Sequence, residues 1–282
     1  MSDLRLMWRN TRMVVLCAIS AALYAAVLVP FKVVPLIPGV TELRPANAIP
    51  VVCSFLFGPA AAWGSAIGNM IGDFFGGVSP GDIAGFFANL AYGWIPYKVW
   101  ELIARGESPV LRSPLRRTPD NLAPKAKLAI DGQALKVIVK YVIACLAGSV
   151  LCADLVGWAD NVLVIRPFAM LGNVIIFNNM ISALALSPFI LAAVYPRVKK
   201  GRMLYTDMMP EVKLKPVPIR AAGFALLIAG EGGAWICGNL LSTGYWAPKF
   251  RPGWMIVAPY DKPVAIIVGP FLLLAFAGLF MM

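Results

Sequence analysis

The sequence contains no histidine and little charge: Asp, Glu, Lys and Arg make up 14% of 282 residues. Without histidine the chain lacks the commonest ligand for haem, copper and zinc and the commonest general base near neutral pH. Redox and zinc-hydrolase chemistry are therefore disfavoured, and no metal or cofactor is expected. Cys17, Cys53, Cys145, Cys152 and Cys237 lie inside apolar stretches without C-x-x-C spacing. That pattern suits small buried hydrophobes and leaves them without assigned chemistry. There is no G-x-x-x-x-G-K-[ST] phosphate loop, so any ATP hydrolysis linked to this chain has to come from another one. A cleaved secretory signal is not expected either. The first apolar run, Met13 to Pro30, is long and is followed by Lys in place of a small-residue cleavage site.

What fills the sequence is apolar. Hydrophobic residues make up 60% of it, more than a soluble domain uses, which places the chain in a bilayer. Stretches of roughly 20 apolar residues, enough to cross a ~30 Å hydrocarbon layer as a helix, recur along the chain. They fall at 13–34, 84–104, 136–157, 168–195, 219–243 and 263–282, each ended by Pro, Gly or charge. Residues 47–77 are also apolar but too long for one ordinary span, and Gly58-Pro59 interrupts them.

Loop charge sets the number of crossings. Arg5, Arg9 and Arg12 precede the first span, and Arg105, Arg112, Arg116, Arg117, Lys125, Lys127 and Lys136 follow the second of the clear spans. Both regions are expected on the cytoplasmic side, so an even number of crossings separates them. Residues 47–77 then supply two: a short one to about Phe57, a break at Gly58-Pro59, and a helix to about Phe75. The basic segment 197–218 is cytoplasmic by the same rule. A final pair of helices goes out and back, with Trp246, Trp254 and Tyr260 in an outer aromatic belt. The net charge of +11 thus reports orientation and anionic headgroups, with no nucleic-acid partner expected. The predicted fold is all-α: a polytopic membrane helix bundle of six helices (1–196), a basic cytoplasmic linker (197–218) and a two-helix transmembrane hairpin (219–282). Both termini face the cytoplasm of a prokaryotic inner or plasma membrane. The Pro- and Arg-rich stretch 106–127 reads as an irregular connector.

In this topology the outer loops 35–46, 74–83 and 158–167 collect polar residues. The first holds Thr41, Glu42 and Arg44 and runs into Asn47, Asp73 and Asp82 bound the second, and Asp160, Asn161 and Arg166 lie in the third. Ser65, Asn69 and Asp73 are four residues apart and share a helix face; Asp82, Asn89 and Gly93 form a second such line. Amides and carboxylates at membrane depth are costly unless they face a cavity or one another. The lines therefore mark a ligand pathway, with interhelical hydrogen bonding as the other reading. Asn173, Asn178 and Asn179 extend the amide set, although the three cannot share one face. Asp154 and Glu231 are isolated acids inside spans. Gly64, Gly68, Gly72 and Gly76 make a packing groove. Ala18, Ala21, Ala22, Ala25 and Ala26 give overlapping A-x-x-x-A patterns that fit a partner inside the chain or outside it.

The segments CAISAALYAAV, ELRPANAIP, FGPAAAWGSAIGNMIGDFFGG and GDIAGFFANLAYGWIPYK, with the six-helix layout, resemble the substrate-binding (S) components of energy-coupling factor (ECF) transporters over residues 10–196. The outer-loop pattern is most similar to the branch associated with queuosine precursors. The resemblance implies an S component that binds a vitamin or nucleobase precursor at its outer side. Such a subunit topples in the membrane while docked on a transmembrane coupling subunit driven by two cytoplasmic ATPases. It also implies that Ala18, Ala22 and Ala26, or the offset Ala21 and Ala25, form the docking stripe. The expected substrate set is Glu42, Arg44, Asn47, Asn69, Asp73, Asp82, Asn89, Trp94 and Asn173. Trp63, Tyr92 and Trp94 would stack on a flat, amide-rich heterocycle. The family pattern gives the last two helices no role.

Two other readings stand beside this one. The chain could be a structural or assembly subunit of a larger membrane complex, with the alanine stripe and the extra helices as contact surfaces. An intramembrane enzyme would need Asp73 and Asp82 as its acid and base, and nothing else supports that pairing. No enzymatic activity is expected.

Overall fold

A computed structural model describes residues 2–31, 35–37, 41–42, 44–111, 115–117, 128–212, 214–242 and 262–282. Its helices are α1 (Ser2–Leu6), α2 (Thr11–Phe31), α3 (Ala48–Phe57), α4 (Pro59–Gly76), α5 (Asp82–Ile103), α6 (Gly132–Val162), α7 (Phe168–Ala185), α8 (Ser187–Lys200), α9 (Tyr205–Met208), α10 (Val217–Ser242) and α11 (Lys262–Met281). The bundle is helical throughout its membrane-embedded part, as the apolar pattern predicts. Two short antiparallel hairpins interrupt the connections: β1 (Pro35–Ile37) with β2 (Thr41–Glu42), and β3 (Leu115–Arg117) with β4 (Leu128–Ile130). The second replaces part of the irregular connector expected at 106–127.

Among the described residues, five helices are long and apolar enough to cross a membrane: Thr11–Phe31, Gly132–Val162, Phe168–Ala185, Val217–Ser242 and Pro263–Met281. α4 and α5 are less apolar for a structural reason. They pack between α2 and α6, so their surfaces meet protein and carry Asn69, Asp73, Asn89, Lys98 and Glu101 in place of lipid-facing leucine. α3 with the preceding 3₁₀ turn (Pro45–Asn47) is shorter, about 20 Å at ~1.5 Å per residue. The α3–α4 break falls where Gly58-Pro59 suggests. Gly58 adopts φ +50°, and a Cβ there would stand 2.7 Å from the Tyr205 ring, so a turn and a close approach both call for glycine. The span expected at 168–195 is divided at Leu186. Pro188 begins α8 without an N–H for the carbonyl four residues back, and Ser187 Oγ donates to Ala48 O on α3.

α2 and α4 pack through small residues. Gly64 lies against Cys17 and Ser20, Gly68 against Ala21 and Tyr24, and Gly72 against Leu28, which accounts for three glycines of the repeat, while Gly76 is exposed on the wall of a cavity. Ala21 and Ala25 are buried on this side, whereas Ala18, Ala22 and Ala26 are exposed with Val15, Ile19 and Leu23. The two alanine registers therefore have different surroundings. Cys17, Cys53, Cys145 and Cys152 are buried and, like the half-buried Cys237, are free thiols.

α10 and α11 form a close hairpin through Gly223, Gly230 and Gly278, and it packs on α6, α7 and the end of α5. The Phe168 ring fills a notch at Gly238, Trp158 Nε1 donates to Ala265 O at 3.3 Å, and Trp94 lies against Phe280 with ring centroids 5.6 Å apart. The last two helices thus cover one flank of the six-helix core.

At the end of the bundle that carries the N-terminus, opposite charges are buried together. Lys98 Nζ lies 2.6 Å from Asp3 Oδ2 and 3.8 Å from Glu101 Oε2. The Tyr97 hydroxyl donates to Asp3 at 2.8 Å and the Tyr205 hydroxyl to Glu101 at 2.9 Å. Burial pushes the Asp3 carboxyl up, but the Lys98 ammonium and the Tyr97 hydroxyl outweigh it and hold the group below its ordinary value.

Candidate functional site

At the other end of the bundle, α4, α5, α6 and α7 enclose a polar cavity of about 230 Å³. Its wall includes Arg44, Asn69, Asp73, Asp82 and Asn89, five of the residues singled out from the sequence. Asp160 and Arg166 close another side, and Val156, Ile165, Leu171 and Ile175 supply apolar surface.

The α4 wall follows from helical spacing. Asn69 and Asp73 are one turn apart, and Asn69 Nδ2 donates to Asp73 Oδ2 at 2.6 Å. Asn69 Oδ1 is buried and has no hydrogen-bond partner among the described residues. α5 crosses close to this pair. A Cβ on Gly85 would stand 3.3 Å from Asn69 Nδ2, so the glycine keeps the space open. Asp82 begins α5 and accepts from Ser79 N at 2.6 Å and Ser79 Oγ at 3.1 Å, which fixes the rim between α4 and α5.

An amide and hydroxyl network lies under the cavity. The Tyr24 hydroxyl is 2.9 Å from Asn47 Oδ1 and 3.1 Å from Asn89 Oδ1. Asn89 Nδ2 donates to Gly85 O, Asn47 Nδ2 donates to Asn179 Oδ1, and the Tyr92 hydroxyl donates to Asn47 O. Asn47 is therefore part of the floor. It ties α2, the start of α3, and α7 together beneath Asn89. Arg44 is held from behind, its N–H donating to Asn178 Oδ1 at 3.3 Å and its carbonyl accepting from Ser182 Oγ at 2.9 Å.

The wall from α6 was not assigned to the site from the sequence. Asp160 and Asn161 stand on the last turn of α6, not in a loop, and Arg166 Nη1 lies 3.3 Å from Asp160 Oδ2. Asp160 O accepts from Ile165 N at 2.8 Å, and Asn161 Oδ1 accepts from Phe168 N at 3.1 Å. The turn between them holds Val164 at φ +59°, a left-handed conformation that strains a β-branched residue by about 1–3 kcal/mol. The available signal was an acid and an arginine six residues apart across one short connection.

Other expected residues lie elsewhere. Trp94 is buried at the far side of α5 against Phe280. Trp63 donates to Leu4 O and packs on Trp8, and Tyr92 lies below the floor, so no aromatic stack lines the cavity among the described residues. Asn173 joins α7 to α10: its Nδ2 donates to Asn239 Oδ1 at 2.6 Å and its Oδ1 accepts from Trp235 Nε1 at 2.8 Å. Glu42 stands on β2, and its side chain lies outside the described residues, as do Trp246, Trp254 and Tyr260.

Other hollows have a different character. One of about 480 Å³ between α5, α6 and α11 is lined by apolar side chains such as Ile83, Phe87, Leu155 and Phe276. One of about 200 Å³ near the N-terminus borders Asp3, Tyr97, Glu101 and Tyr205, which already engage one another and Lys98. The 230 Å³ cavity alone of these three combines carboxylates, amides and arginines with an amide oxygen left unsatisfied. The arrangement suits a small, hydrogen-bonding solute.

Comparison with known proteins gives one family: the model described as QueT transporter matches residues 14–196. No curated protein and no solved structure matches the chain.

Proposed function

The chain belongs to the QueT transporter family, the queuosine-precursor type of ECF S component, and from that premise we propose that it captures a queuosine precursor in the 230 Å³ cavity at the outer face of the membrane. Membership makes it a multi-pass membrane subunit for micronutrient uptake. The observation that carries the reading is the convergence of Arg44, Asn69, Asp73, Asn89, Asp160 and Arg166 on one space, with Asn69 Oδ1 unsatisfied. A heterocycle bearing ring N–H and amine donors would satisfy that oxygen and the carboxylates, while Arg44 and Arg166 would meet its carbonyl. Polar groups left unpaired by a wrong solute cost about 1–3 kcal/mol each, which gives the cavity its selectivity. At about 230 Å³ the site is smaller than drug-sized pockets, in keeping with a nucleobase.

Orientation rests on charge. Arg5, Arg9, Arg12, Arg105, Arg197, Lys199, Lys200 and Arg202 lie at the end away from the cavity, which favours a cytoplasmic N-terminal end and an outward cavity. Within the chain, residues 1–196 form the binding core, 197–218 the cytoplasmic linker and 219–282 an appended hairpin, with both termini inside. The exposed Ala18, Ala22 and Ala26 stripe docks on a transmembrane coupling subunit powered by two cytoplasmic ATPases. The hairpin packs on α5, α6 and α7, and so leaves that face of α2 uncovered.

Purified protein is tested by thermal shift with queuosine precursors and a panel of other vitamins, and by co-purification from its host. A shift for queuosine precursors alone, with a coupling subunit and ATPases recovered, supports the proposal. A monodisperse sample with no shift for any precursor, or recovery with a respiratory complex, overturns it.

A further inference from the structure

Two buried acids outside the cavity lining leave carboxyl oxygens without hydrogen-bond partners among the described residues. Asp154, on α6, is 0% exposed, and neither carboxyl oxygen has a hydrogen-bond partner. Glu231, on α10, is 4% exposed, and its Oε2 has none. The two helices pack together where the hairpin lies on the core, and Glu231 is within electrostatic reach of Asp154. Leu151 and Ala153, and Leu227 and Ala234, within four residues of them along α6 and α10, are fully buried and apolar.

Most other charged groups on these elements are engaged elsewhere or, like Lys136, exposed, while the buried Arg220 keeps Nε and Nη1 without hydrogen-bond partners among the described residues. On α6 the Cys152 thiol is within electrostatic reach of Asp154, while Lys140 pairs with Glu107 and Asp160 with Arg166. α7 carries no charged residue, and α11 carries none after Lys262. On α5, Lys98 and Glu101 engage Asp3 and Tyr205, and Asp82 engages Ser79. Arg220, about three turns before Glu231 on α10, lies in the field of Glu101. Among the described residues no lysine or arginine forms an ion pair with Asp154 or Glu231.

An unpaired carboxylate in such a medium is strongly disfavoured, and a second one near it adds repulsion. A proton removes charge and at the same time provides the missing donor. We propose that Asp154 and Glu231 form a proton-binding carboxyl pair that latches the C-terminal hairpin to the six-helix core. One carboxyl donates its O–H to the other across the α6–α10 contact, and the pair carries at least one proton at neutral pH. Deprotonation leaves buried carboxylates facing each other and loosens the hairpin.

Infrared spectroscopy of the full chain in lipid nanodiscs reads this directly. The expected result is a carboxylic-acid carbonyl band at neutral pH that is lost in Asp154→Asn, in Glu231→Gln, or in both. Wild-type protein carrying ¹³C-labelled aspartate or glutamate shifts the same band, which keeps the test valid if a variant folds poorly. The thermal midpoint of wild type falls as pH rises into the alkaline range, and the double variant, with neutral side chains of the same shape, resists that fall. No acid band attributable to either residue, or identical alkaline profiles for wild type and double variant, overturns the proposal.

Discussion

Helix α5 carries polar side chains inside the bundle at both ends, and the two ends use them in opposite ways. Near its C-terminus, Lys98 sits between Asp3 and Glu101, with Tyr97 and Tyr205 donating to the acids. Charges of opposite sign answer one another, although Glu101 Oε2 has no hydrogen-bond partner among the described residues and faces the Lys98 ammonium at 3.8 Å, and what results is a staple joining the N-terminus, α5 and α9. Near its N-terminus, Asn89 and Asp82 border a space in which carboxylates outnumber arginines and an amide oxygen has no partner. Buried polarity by itself thus says little about binding. What separates a structural cluster from a site is whether the groups complete one another or leave capacity for something else.

The sharpest way to test that contrast is to remove the centre of the staple. Lys98→Met leaves two buried acids uncompensated and is expected to lower stability by about 3–5 kcal/mol, read by chemical unfolding, with ligand affinity retained in the folded fraction. Asp73→Ala acts on the other end. It should weaken precursor binding by roughly ten- to a hundredfold, about 1–3 kcal/mol by titration calorimetry, while stability changes by less than that. Tyr24→Phe removes the hydroxyl between Asn47 and Asn89 and is expected to cost about 1 kcal/mol of stability together with a several-fold loss of affinity, since the floor belongs to both categories.

Acid sharpens the comparison further. Asp3 is held below its ordinary value, so its contribution is present above the ordinary carboxylate range and is lost as pH falls through the lowered value. Thermal midpoints should therefore drop on strong acidification in wild type and much less in Asp3→Asn. The smallest effect on the isolated protein belongs to Ala22→Leu on the exposed stripe. Stability and affinity should stay within about 0.5 kcal/mol of wild type, whereas precursor uptake by cells falls sharply because docking is blocked.

Much of the fold was legible because bilayer physics leaves few options. Span length, the Gly58-Pro59 break and the basic loops together gave the order of the long helices, and helical spacing placed Asn69 with Asp73 and Asp82 with Asn89 on one wall. Trp94 was misleading because its sequence neighbours lie near the cavity level, yet its position on α5 turns it toward α11, a long-range partner that no local pattern shows. Asn173 was drawn to α10 for the same reason. Asp160 and Arg166 were visible as polar loop residues, but their role as a wall depends on α6 running on to Val162, beyond the apolar stretch that defined the span. The packing of the hairpin rests on glycine notches and on Phe168, contacts between segments far apart in sequence.

The central claim is that the outer cavity binds a queuosine precursor through its polar wall. Titration calorimetry of the purified chain with that precursor tests it most directly, run in parallel on wild type, Asp73→Ala and Ala22→Leu. The account predicts saturable binding at one site per chain, weakened at least about tenfold by Asp73→Ala and unchanged by Ala22→Leu. Absence of saturable binding to folded wild type, or equal affinity in Asp73→Ala, would contradict it.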